Sequence, residues 1–210
     1  MQIRTTPEIS GKTGRGGNAV TCFTPRTMIT TTTGRCAVND LKPGDRVLTR
    51  DSGFQPVVWI GQRTCSAATQ RSDPAQAPIL IRADALGPGL PAQDMIVSPR
   101  HRFLTTDPAL LSALNETEAL IEARALLGRP GIARTAPTRQ TYVHVLFDRH
   151  EIILSDNTWS ESFRLDRTNT QALIHDRETQ VLAHFAAQGH QPTELQPPAR
   201  TCLPCLDTVA

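Results

Sequence analysis

The sequence predicts an all-β domain of many short strands, and three observations carry that prediction. Between Cys22 and about Phe163, short runs rich in β-branched and apolar residues recur: "TMITTTT", "RVLTR", "QPVVWIGQRT", "PILIRA", "DMIVS", "TYVHVLF" and "HEIIL". Runs of this length and spacing read as strands, and the Pro and Gly clusters between them supply the φ values that tight turns need. After Phe163 the apolar period becomes helical, which sets the end of the β-domain near residue 165.

Each element follows in order. Residues 1–21 are polar and rich in Gly and Thr and read as a flexible leader. Its "GKTG" is not a phosphate-binding loop, because the glycine required five residues before the Gly-Lys pair is Thr6. The stretch "LKPGDRVLTRDSGFQP" predicts a meander of hairpins, with Pro43-Gly44 presetting one turn and Asp51-Ser52-Gly53 supplying the next. In "DPALLSALNETEALIEARALL", Leu110, Leu111 and Leu114 fall at helical spacing and predict a helical insertion. "TYVHVLFDRHEIIL" reads as two strands around an Asp-Arg-His turn, in which His144 alternates into the strand as a packed residue. The tail, residues 166–210, carries a helical stripe in Val181, Leu182 and Phe185 before prolines break it.

Composition narrows the function classes. A 210-residue chain that is 39% hydrophobic has enough apolar mass for one sizeable core. Its 22 basic and 20 acidic residues leave a net charge of +2, too weak a field to predict a nucleic-acid partner. No apolar run approaches the roughly 18 to 20 residues of a membrane span, and the N-terminus lacks the apolar core of a signal peptide. The expectation is a cytoplasmic chain with no membrane span.

Five cysteines, Cys22, Cys36, Cys65, Cys202 and Cys205, are an odd number and do not read as a disulfide framework. Cys36 and Cys65 lie in strand-like runs and are expected in the core, as are Trp59 and Trp159. Cys202 and Cys205 with His184 and His190 lack the second close pair typical of structural zinc. They are read as tail residues whose neighbours Leu203 and Leu206 pack, and neither a metal nor a cofactor is expected.

The chemistry concentrates in three places. Cys22 opens the β-domain, and cysteine is the best side-chain nucleophile near neutral pH. In "MIVSPRHRFLT", Ser98 and His101 stand three residues apart, so a hydroxyl and an imidazole could reach one carbonyl, the first as a donor and the second handling a proton. His150 follows Asp148 in the turn of "TYVHVLFDRHEIILSD", which taken alone reads first as a solvated turn without a chemical role.

Taken together and in this order, the blocks resemble the Hint domain, the family shared by hedgehog autoprocessing domains and inteins. "CFTPRTMITTTTGRCAVNDLKPGDRVLTRD" is similar to its first block, including Leu41, Lys42, Pro43, Gly44, Asp45 and Val47. "VSPRHRFL" resembles the Thr-x-x-His block, with Ser98 in place of threonine, and "YVHVLFDRHEIILSD" resembles the C-terminal block, with His150 at the histidine position. The resemblance covers about residues 22–163 and implies a pseudo-two-fold horseshoe of short strands. It also implies that Cys22 attacks the carbonyl of Thr21, giving a thioester in an N-to-S acyl shift, with Ser98 holding the carbonyl oxygen and His101 transferring the proton. The leader would be the substrate, and water or an external thiol or amine the acceptor. Two departures bear on splicing: Val143 stands where inteins have Asp, and Ser160, Glu161 and Ser162 replace the usual His-Asn ending. Glutamate lacks the amide nitrogen that closes a succinimide, so full splicing is not expected and Glu161 has no step in leader cleavage. A domain that kept the fold without the chemistry, serving interaction or presentation, remains the alternative. A cysteine peptidase acting in trans is a third, although the papain-type signature is absent.

Overall fold

The computed structural model describes residues 21–112, 114–166, 169, 179–187 and 196–204. The leader, apart from Thr21, lies outside these, as do Cys205, Leu206, His190 and the side chain of Leu182.

The described chain is dominated by antiparallel strands, as the alternation predicts. In chain order they are β1 (Met28–Thr31), β2 (Gly34–Ala37), β3 (Arg46–Thr49), β4 (Gly53–Pro56) and β5 (Trp59–Cys65). A short helix α1 (Ala67–Ser72) precedes β6 (Ile79–Ile81), β7 (Met95–Val97) and β8 (Arg102–Thr105). One further turn of helix, α2 (Pro108–Leu111), leads to β9 (Ala119–Glu122), β10 (Ile132–Arg134), β11 (Gln140–Leu146), β12 (Ile152–Ser155) and β13 (Thr158–Glu161). The helix α3 (Thr179–Ala187) follows.

Eight strands form the largest sheet in the order β2-β1-β3-β12-β13-β8-β9, with β4 added on β3, while β10-β6-β7 and β11-β5 form two smaller sheets. The turn chemistry acts where it is expected. Gly44 and Gly53 take φ of 94° and 65°, left-handed conformations that cost glycine little. Lys42 N–H donates to the Asp45 carboxylate at 2.9 Å, closing the first turn.

The helical insertion is the main departure. Among the described residues of the insertion, α-helix persists only over Pro108–Leu111, capped by the Asp107 carboxylate, which accepts from the Ala109 N–H, and one turn of 3-10 helix follows at Ala123–Leu126. The later apolar residues form β9 instead, with Leu120 opposite Leu104 and Ile121 opposite Phe103. Leu120 and Ile121 are both buried, so successive apolar residues face two buried sides of a sheet, which periodicity alone does not separate from a buried helix. Two other packing expectations shift. Cys36 and Cys65 are only half-buried, as are Trp59, packed against the second core cluster, and Trp159, with the Arg50 guanidinium 5.6 Å above its ring.

β11 divides the interior. Val143 and Val145 enter one cluster with Phe23, Ile29, Val47 and Ile153, whereas Tyr142 and Leu146 enter another with Cys22, Phe163 and Leu165. This is the two-residue period of a strand buried on both faces. The chain beyond residue 165 completes the second cluster, because Val181 and Phe185 of α3 are buried in it. Gln196 then fastens the returning chain: its side-chain amide donates to the carbonyls of Phe147 and Asp148 at 3.0 and 3.1 Å, and its Oε1 accepts the Leu165 N–H at 3.0 Å. Arg200 pairs with Asp51 and Glu118, and Leu203 N–H donates to the Leu120 carbonyl at 2.9 Å.

The packing of α3 makes a measurable contribution. Phe185→Ala should cost about 3 kcal/mol in equilibrium urea unfolding, the usual loss for a buried phenylalanine. A change below about 0.5 kcal/mol, the scale of a surface substitution, would show that the helix does not cover the core.

Candidate functional site

The site is built where the chain at Thr21, Cys22 and Phe23 enters the fold. Phe23 bridges Val97 of β7 on one side and Val143 of β11 on the other. Its N–H donates to the Val143 carbonyl at 3.0 Å, and Val143 returns a bond to the Phe23 carbonyl at 2.8 Å. With Phe23 paired on both sides, Cys22 falls between Ser98, directly after β7, and His144, one residue beyond Val143. Because side chains alternate along β11, His144 shares the face of Tyr142 and Leu146, the face against which Cys22 packs.

His144 closely approaches the sulfur. Its Nδ1 lies 3.3 Å from Cys22 Sγ and 3.2 Å from the carbonyl oxygen of Thr21. One ring nitrogen therefore faces both the thiol and the carbonyl of the Thr21-Cys22 peptide bond. The ring is held by Trp59, whose indole lies parallel to it with centroids 6.2 Å apart, and by Phe163 at 4.8 Å. Gly61, opposite His144 across the β5–β11 ladder, leaves room for that indole, since a Cβ there would run into it. His144 is a residue that the sequence reading assigns to packing. The signal was the alternation itself, which puts it on one face with Tyr142, but the identity of that face depends on where Cys22 docks.

Ser98 meets the other end of the peptide bond. Its Oγ accepts the Cys22 N–H at 3.0 Å, and its own N–H donates to the Cys22 carbonyl at 3.2 Å. The hydroxyl thus holds the amide nitrogen, whereas the sequence reading assigns it to the carbonyl oxygen.

His101 is fully buried, with its ring centroid 4.5 Å from that of Phe23 and 5.2 Å from that of Phe103. Neither of its ring nitrogens has a hydrogen-bond partner among the described residues, so the expected proton-transfer contact with the scissile bond is not made as a hydrogen bond.

His150 reaches the site through Glu161. Its Nδ1 accepts the Ala199 N–H at 2.9 Å, which leaves the proton of the neutral ring on Nε2. That nitrogen faces Glu161 Oε2 at 3.3 Å. Glu161, fully buried at the end of β13, accepts from the Thr21 hydroxyl at 2.8 Å and from the Arg102 N–H at 3.1 Å. The Arg102 guanidinium bridges it to Glu122. Glu161 therefore touches the residue before Cys22, which nothing in its sequence position discloses.

Burial and charge set the protonation states. Burial pushes the Cys22 thiol far above its ordinary range, with a hydrogen bond from Ser98 opposing, so the resting group is a neutral thiol. Burial likewise lowers His101 and His144 to about 4 each, against the Glu161 charge in the first case and the Thr21 carbonyl in the second. Glu161 goes the other way: burial raises it, but His150 and Arg102 outweigh that and hold it below the usual range as a carboxylate. No group of three or more His, Cys, Asp or Glu side chains able to hold a metal is found among the described residues, and no helix there is long and apolar enough to cross a membrane.

The two buried imidazoles link stability to pH. Both fall from an unfolded value of 6.5 to about 4, so the unfolded chain binds the extra protons first on acidification. Their contribution is full above about pH 6.5 and is lost as pH falls toward 4, by up to about 3 kcal/mol each. Unfolding free energies measured between pH 7.5 and 4.5 should fall more steeply in the parent than in His144→Gln, and equal slopes would contradict a neutral buried His144.

Among solved structures, a bacterial intein-like domain from Clostridium thermocellum aligns at 16% identity and a TM-score of 0.44, over 67% of this chain and 97% of its own. The gp41-1 intein aligns at 11% and 0.40, over 67% and 97%. A DnaB intein from Synechocystis sp. PCC 6803 aligns at 12% and 0.41, over 68% and 98%. No curated protein sequence matches the chain. The family profile described as Hint domain matches residues 21–167, most of the chain and all of the site around Cys22, and the chain belongs to the Hint domain family.

Proposed function

We propose that this Hint domain makes an N-to-S acyl shift at the Thr21-Cys22 bond, giving a thioester that water or an external thiol or amine resolves. The observation that carries the reading is His144 Nδ1, within 3.3 Å of the thiol and 3.2 Å of the carbonyl oxygen that the thiol would attack. With the proton on Nε2, Nδ1 accepts the thiol proton as Sγ forms its bond to the Thr21 carbonyl carbon. The imidazolium then presents Nδ1–H to the oxygen on which negative charge develops, so one nitrogen serves as base and then as oxyanion donor. When the carbon–nitrogen bond breaks, that proton ends on the Cys22 nitrogen. The Ser98 hydroxyl, already bonded to this nitrogen, can both accept and donate and is placed to pass it on. The shift is an isomerisation and needs no co-reactant. The leader ends as the acyl group, and the acceptor that takes it releases the Cys22 thiol.

The test is intact mass after incubation of the folded protein with hydroxylamine. The parent should lose residues 1–21, Cys22→Ala should lose nothing, and His144→Ala should slow release by about a hundredfold or more, the scale for a lost general base. Ser98→Ala should slow it less, since water can partly replace the one hydrogen bond that the hydroxyl accepts from the Cys22 N–H. A parent that stays whole, or a Cys22→Ala chain that cleaves equally well, overturns the reading in favour of an interaction or presentation module.

A further inference from the structure

We infer that Glu161 is a specificity-determining residue of this site, selecting a hydroxyl-bearing residue, Thr or Ser, on the acyl side of the cleaved bond. The inference rests on the acyl-shift reading above and assigns a role to a residue which that mechanism leaves unused.

The contact is buried at both ends: Thr21 is 6% exposed and Glu161 fully buried, with the hydroxyl and Oε1 2.8 Å apart. A carboxylate is an acceptor with no proton to give, so every neighbour has to be a donor. The Arg102 N–H and guanidinium supply others, the residue 21 hydroxyl adds its own, and His150 Nε2 faces Oε2 at 3.3 Å. A valine at position 21 has the same shape but presents a methyl to a buried anion. A site built to bond a hydroxyl discriminates strongly against an analogue lacking it, because its own polar atom is left unpaired.

The second consequence is orientation. Thr21 is held at its side chain by Glu161, and once His144 Nδ1 has taken the thiol proton it donates to the Thr21 carbonyl oxygen, 3.2 Å away. Two anchors on one residue fix the plane of its carbonyl relative to Cys22 Sγ, and an acyl shift depends on that plane. Glu161 acts through Thr21 and takes no part in bond making, so it is a positioning residue. His150 gains a role as well, since its Nε2 faces Glu161 Oε2 at 3.3 Å, away from the Thr21 contact.

The experiment varies residue 21 in the full chain and reads hydroxylamine-dependent loss of the leader by mass. Thr21→Ser should cleave within about threefold of the parent, and Thr21→Val should be slower by about 10- to 100-fold. In a Glu161→Ala background, Thr and Val should cleave at similar rates, because the discriminating acceptor is gone. Should Glu161→Ala fail to fold, the residue 21 series decides alone: Ser equal to Thr, with Val and Ala both slow, supports the inference. Equal rates for Thr and Val overturn it while leaving the acyl shift intact. Thermal unfolding of the uncleavable Cys22→Ala chain separates the remaining case. If no chain cleaves, yet Thr21→Val lowers the midpoint only when Glu161 is present, the acyl-shift reading falls, and with it the specificity role, leaving a structural hydrogen bond.

Discussion

The clamp on Phe23 is the interaction on which the site depends. A single residue pairs with two strands that belong to different sheets, β7 through Val97 and β11 through Val143. Its ring, 1% exposed, anchors the same cluster that receives Val143 and Val145. Backbone pairing fixes register along the strands and burial fixes depth, so the preceding peptide bond cannot drift. The Ser98 hydroxyl reaches the nitrogen of that bond and the His144 ring reaches its oxygen because both residues sit one position from the pairing partners of Phe23. The geometry of the site is a consequence of register.

Around that clamp the protein keeps two electrostatic regimes apart. On the His144 side the thiol and the imidazole are both neutral, since burial penalises charge on each and no strong opposite charge repays it. On the Thr21 side chain's flank, Glu161 stays charged because Arg102 and His150 surround it. In the proposed acyl shift, a neutral base beside a neutral thiol would let a proton move only when carbon–sulfur bonding begins, while the anion beside the Thr21 hydroxyl would hold the acyl residue still. Thr21 lies at the border and touches both.

The chain beyond residue 165 belongs to the same construction. α3 closes the cluster behind Cys22 with Val181 and Phe185, and Ala199 N–H sets the tautomer of His150 from outside the β-domain. The helical stripe read after Phe163 is thus the lid of a core whose other wall is Tyr142, Leu146 and Phe163.

Local physics made much of this legible from sequence. The runs "RVLTR", "PILIRA", "TYVHVLF" and "HEIIL" became strands because β-branched and apolar residues favour a pleated, buried surface, and Gly44 and Gly53 became turns because φ there is left-handed. Cys22, Ser98 and His150 stood out from block order, and the fold brings Ser98 to Cys22 and His150 to Glu161. Partners were not visible. His144 and Val145 are both buried, and no sequence pattern says which face of a doubly buried strand meets a given residue more than a hundred positions earlier. Leu120 and Ile121 read as helix because a run buried on two sides has no period of its own. Glu161 looked like a failed asparagine until folding brought it to Thr21. Sequence by itself determined where the chain extends and where it turns, because those preferences are local. Only the tertiary structure decided which buried polar groups meet, because pairing across 122 positions for Cys22 and His144, or 140 for Thr21 and Glu161, is set by strand register and core packing.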